Sequence, residues 1–120
     1  MGNIPVIDLE EALNRAMGDG NFLKMMLEEL RSTIPDFMAR IEKADLAGDM
    51  ESLGKTAHQF KGAAANLGAK TIAAAALQLE QSSKGADAQG CRAALELLNQ
   101  AIAEFRRHLD RIDWTATTAD

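Results

Sequence analysis

His58 is the residue in this 120-residue chain whose surroundings most need a chemical reason. It lies in Leu53-Gly54-Lys55-Thr56-Ala57-His58-Gln59-Phe60-Lys61-Gly62-Ala63-Ala64-Ala65-Asn66-Leu67-Gly68, which reads as helix. Leu53, Ala57, Phe60, Ala64 and Leu67 recur at helical spacing and predict one buried stripe. His58 falls well round from that stripe, toward solvent. Its neighbours one turn away are Gly54 and Gly62, and Lys55 and Lys61 stand at the intervening positions. A glycine inside a helix costs ~0.8–1 kcal/mol relative to alanine. An exposed face has no packing need for two of them, whereas a closely approaching partner surface does. The lysines suit an anionic arrival, and a neutral imidazole is a competent nucleophile near pH 7. These residues point to a histidine that takes an anionic group, most simply a phosphoryl, from a docked macromolecule. The plain alternative is a surface histidine without a role.

The rest of the chain has to position that face. Its length suits one domain, 1–120, with a core over about 7–112 and a frayed tail over 113–120. Alanine is abundant, tyrosine is absent and Val6 is the only valine, which favours an all-α fold. Asp8, Asp19, Asp49 and Asp87 read as N-caps, Asp8 with Glu11 as a capping-box partner. After an extended lead-in over residues 1–7, helices are predicted over about Leu9–Met17, Gly20–Leu46, Met50–Leu67, Lys70–Ser83 and Ala88–Ile112. Pro35 should kink the second of these, or divide it in two. The pattern predicts an up-down antiparallel four-helix bundle with a short additional N-terminal helix.

Treating the third and fourth helices as an antiparallel hairpin puts Glu80 at the height of His58. His58 lies ten residues before Gly68 and Glu80 eleven after Ala69. Glu80 could face the groove, accept a hydrogen bond from one imidazole nitrogen and leave the other free to attack. It could equally be an ordinary exposed glutamate, or one paired with a nearby lysine. Leu13, Phe22 and Met25 are candidates for an apolar docking patch beside His58.

Other classes are disfavoured. The 18 acidic residues outnumber the 13 basic ones, for a net charge of −5, which argues against nucleic-acid binding through a global field. The single cysteine, Cys91, permits no intrachain disulfide and suits a reducing cytoplasm. No apolar run approaches the ~20 residues of a spanning helix, no signal peptide is legible, and no membrane partner is expected. Only His58 and His108 could serve a metal-binding bundle, without a Glu-x-x-His pair, so no metal or cofactor is expected in this chain.

Ala57-His58-Gln59-Phe60-Lys61-Gly62, the small residues that follow, Gly68-Ala69 and Leu79-Glu80 resemble the histidine-containing phosphotransfer family of bacterial two-component relays. Ile7-Asp8-Leu9-Glu10-Glu11-Ala12-Leu13 and Gly18-Asp19 resemble its first helix and turn, so the likeness spans roughly residues 7–112. Phe60 stands where the family usually has leucine, an apolar-for-apolar change. The resemblance implies that His58 is phosphorylated by a receiver-domain aspartyl phosphate or by a sensor or hybrid histidine kinase. The group then passes to another receiver aspartate. Lys61 would neutralise phosphoryl charge and Glu80 would hold the other imidazole nitrogen. Gly62, with Gly54, Lys55, Gln59 and Ala65, would give the partner access. The receiver would supply the divalent metal. The domain would be a monomeric phosphoryl carrier without a kinase's nucleotide-binding motif. A non-phosphorylated adaptor that binds receivers is the alternative, and the retained His58 argues against it.

Overall fold

The computed structural model describes residues 4–117, and every regular element among them is helical. Helix α1 spans Leu9–Arg15, α2 Gly20–Ala47, α3 Met50–Asn66, α4 Lys70–Lys84 and α5 Ala88–Arg111. The connections between α2 and α5 are short, so successive helices reverse direction. The four long helices form an up-down antiparallel bundle, with α1 added at one end.

Each predicted aspartate cap is made. Asp8, Asp19, Asp49 and Asp87 accept from the backbone N–H three residues on, at 3.1, 3.0, 3.1 and 2.9 Å. The capping box at α1 is not. The Asp8 N–H donates instead to the Gly68 carbonyl at 2.8 Å. The Glu11 carboxylate meets Lys70 Nζ at 2.8 Å, a charge contact without hydrogen-bond alignment, and Arg15 Nη2 at 3.7 Å. Both groups of the expected box are thus drawn to partners across the fold.

Pro35 does not divide α2, which continues through it to Gly48, a left-handed C-terminal residue with φ 67°. A mid-helix proline costs ~3 kcal/mol or more. Leu27, Leu30 and Ile34 before it and Ile41 and Ala44 after it are all buried. Each large apolar burial contributes ~1.5–3 kcal/mol, so the continuous stripe outweighs the lost bond. Pro35 itself is exposed.

The α3 stripe is buried as the spacing predicts, with Leu53, Ala57, Phe60 and Ala64 at 1% exposure or less. Phe60 stacks on Phe37 of α2, with ring centroids 4.6 Å apart. On its other side α3 packs most closely against α4, whose Ile72, Ala76 and Leu79 face inward. The small residues of α4 allow that approach. The tail expected to fray from residue 113 instead forms a single helical turn, α6 (Trp114–Thr117), and Trp114 packs half-buried against the core. Aromatic burial explains the difference. Residues 118–120 of that expectation, and 1–3 of the extended lead-in, lie outside the described residues.

Candidate functional site

Equal rise along α3 and α4 brings His58 and Glu80 together as the hairpin requires. His58 Nδ1 lies 3.0 Å from Glu80 Oε2. The two ends of this contact differ sharply in environment, the His58 side chain being 64% exposed and that of Glu80 7%. Lys61, one turn along α3, donates its Nζ to Glu80 Oε1 at 3.1 Å. Lys84, one turn along α4, places its Nζ 3.2 Å from Oε2, the oxygen that also serves His58. A buried carboxylate is thereby ringed by three nitrogen donors.

The donors decide its charge. The Lys61 hydrogen bond is the largest influence, and with the Lys84 hydrogen bond and the charges of Lys61 and His58 it outweighs burial, which acts in the opposite sense. The Glu80 carboxyl is held down to about 2, well below the usual carboxylate range. An ionised carboxylate only accepts. The His58 contact is therefore an Nδ1–H donating to Oε2, and in the neutral ring this leaves Nε2 with its lone pair on the side away from Glu80. In that form an exposed, oriented ring nitrogen beside ammonium groups is equipped to attack an electrophilic phosphorus.

The surrounding residues sort differently from their sequence reading. Gly62 is exposed, and a Cβ there would meet nothing within 4 Å, so the space beside His58 is open. Gly54 is buried, and a Cβ there would stand 2.6 Å from Ser83 Oγ. Its missing side chain leaves room for Ser83 of α4, a packing reason that the sequence reading did not give, and Gly54 also lines the cavity that holds His58. Lys55 is exposed, pairs with Glu51 at 3.7 Å and lines the cavity that holds His58 and Glu80. Gln59 lines it too, and its Oε1 accepts from Arg40 Nη1 of α2 at 3.1 Å. Ala65 is half-buried, and its carbonyl accepts from Arg15 Nη1 at 2.8 Å.

Of the apolar trio, Phe22 is not immediately beside His58. Leu13 is half-buried against the core, while Phe22 and Met25 are 45% and 57% exposed. Phe22 lines a small cavity with Asn66 and Leu67 at the C-terminal end of α3, about 12 Å along the helix axis from His58. Lys84 is the site residue that the sequence reading missed. The signal was available in its spacing four residues after Glu80, where a helical Glu–Lys pair forms. Among the described residues, no group of three or more His, Cys, Asp or Glu side chains could hold a metal.

A family model described as Hpt domain matches residues 23–108. The chain belongs to the Hpt domain family. Comparison with curated proteins gave no match, and neither did comparison with solved structures. The matched stretch contains His58, Lys61, Glu80 and Lys84, and leaves α1 and Phe22 outside. An Hpt domain serves histidine phosphotransfer in two-component phosphorelays, as a phosphocarrier module and not as a kinase. In this Hpt domain no helix among the described residues is long and apolar enough to cross a membrane.

Proposed function

We propose that this Hpt domain carries a phosphoryl group on His58 Nε2, receiving it from a receiver-domain aspartyl phosphate and delivering it to another receiver aspartate. The observation that carries this reading is the 3.0 Å contact from exposed His58 to buried, ionised Glu80. The Nε2 lone pair attacks phosphorus, an N–P bond forms, and the P–O bond to the donor aspartate breaks with its electron pair leaving on the carboxylate. The ring keeps its proton at Nδ1, and Glu80 stabilises the positive charge that the ring acquires. Lys61, 28% exposed and one turn from His58, offsets phosphoryl charge. The open space over Gly62 admits the partner, with Lys55, Gln59 and Ala65 around it. Leu13, Phe22 and Met25 offer the partner an apolar docking contact. The receiver contributes the divalent metal and most of the groups that act on phosphorus. A sensor or hybrid kinase loads the relay, and the setting is cytoplasmic.

The test is incubation with a phosphorylated receiver domain and, separately, with phosphoramidate. His58 should acquire an acid-labile, base-stable label from both, and His58→Gln should lose it while retaining its helical content and thermal transition. Labelling that survives His58→Gln overturns the assignment. A protein that binds receivers without ever being labelled is the adaptor instead.

A further inference from the structure

Lys84 is not needed to hold Glu80 in place. The carboxylate already accepts from Lys61 on Oε1 at 3.1 Å and from His58 on Oε2 at 3.0 Å. Lys84 shares Oε2 with His58, the one oxygen accepting from both. It is also the looser of the two lysines, its side chain being 74% exposed against 28% for Lys61. An ion pair that exposed is weak and easily exchanged. Lys84 lines the same cavity as His58, and Lys61 and Lys84 together place two positive charges against the single negative charge of Glu80. With a neutral imidazole the site carries one cation in excess.

We propose that Lys84 is a second phosphoryl-binding cation, resting on Glu80 in the unloaded protein and turning to the phosphoryl oxygens once His58 is loaded. The inference rests on His58 being the phosphoryl carrier. Loading brings as many as two negative charges to Nε2 and raises the positive charge on the ring. Oε2 then serves the Nδ1–H better alone, and the released ammonium meets a more negative partner on a flexible four-carbon stem. No covalent bond changes in this step. Lys84 exchanges one acceptor for another, which makes it a determinant of how firmly the loaded state holds its phosphoryl group.

The experiment mixes the full chain, as parent, Lys84→Met and Lys84→Arg, with a phosphorylated receiver domain and reads by ³¹P NMR how the phosphoryl group divides at equilibrium between His58 and the receiver aspartate. A cation about 5 Å from a phosphoryl charge in water favours the loaded state about fourfold. The equilibrium constant for loading His58 should therefore fall about fourfold in Lys84→Met at low salt. Lys84→Arg should restore it, and 1 M salt should shrink the difference. A change in fold alone would not follow this charge and salt pattern. An unchanged equilibrium with Lys84→Met overturns the role of Lys84 and leaves the carrier reading intact. Failure of the parent to load at His58 overturns both.

Discussion

A carboxylate can dictate which nitrogen of a histidine carries the proton only if it stays ionised, and Glu80 does so through its lysines. Its carboxyl is lowered from 4.5 to about 2, with the Lys61 hydrogen bond the first cause and the Lys84 hydrogen bond also contributing. The neutral ring of His58 should accordingly be the Nδ1–H tautomer, visible in long-range ¹H–¹⁵N spectra, and Glu80→Gln should weaken that bias. A neutral ring found mainly as Nε2–H would contradict the orienting role. The lowered value also sets a pH dependence. A depressed carboxyl contributes stability that is fully present above its unfolded value and is lost as pH falls through its folded one. Glu80 should therefore destabilise the fold progressively between pH 4.5 and about 2. Urea melts across that window should show a shallower decline in Glu80→Gln than in the parent. Parallel declines would mean that the lysines do not hold Glu80 in the folded state.

Helix α3 carries two glycines one turn either side of His58, and they answer to different neighbours. Gly62 faces open space, so Gly62→Ala should stabilise the protein by ~0.5–1 kcal/mol through helix propensity. Gly54 faces Ser83, whose Oγ donates to the Glu80 carbonyl at 2.7 Å and is not free to turn away without breaking that bond. Gly54→Ala should destabilise by about 1 kcal/mol, as an overpacking cost of ~1–3 kcal/mol exceeds the propensity gain. Removing the obstruction should reverse the sign, so that Gly54→Ala becomes stabilising in a Ser83→Ala background. Chemical denaturation of the single and double variants checks this. The same effect for Gly54→Ala in both backgrounds would remove Ser83 as the reason for the glycine.

At the scale of the molecule, α1 is fastened to the hairpin that bears the site. The Asp8 N–H donates to the Gly68 carbonyl at 2.8 Å, and the Lys70 N–H donates to the Val6 carbonyl at 3.1 Å. Gly68 has φ 75°, and a Cβ on it would approach the Asp8 carbonyl oxygen at 2.8 Å. Gly68→Ala should cost about 2 kcal/mol, part from the left-handed backbone and part from pushing residue 8 away. Hydrogen exchange should show the loss first in α1, with α3 and α4 keeping their protection and His58 its contact with Glu80. Equal loosening of all the helices would show that α1 is not a separable attachment.

Much of this was legible in one dimension because helices translate sequence into space by a constant rise and turn. Aspartate caps, the apolar stripes and the short turns determined the elements and their reversal. Equal counting from Gly68 then places Glu80 opposite His58. The purpose of each neighbour was a different matter. Gly54 and Gly62 are equivalent by spacing, yet one is covered by Ser83 and the other is open. Glu11 had the capping-box position, yet Lys70 and Arg15 take its carboxylate. Phe22 lies further from His58 than the sequence suggested, because it meets α3 near Asn66 and Leu67. Periodicity reports which face of a helix a residue occupies. It does not report which neighbouring helix covers that face, how closely, or which of several charges reaches a shared oxygen first. Those depend on interhelical distance and side-chain reach, so spacing put Lys84 within reach of Glu80 while tertiary packing alone decided that His58 shares the same oxygen.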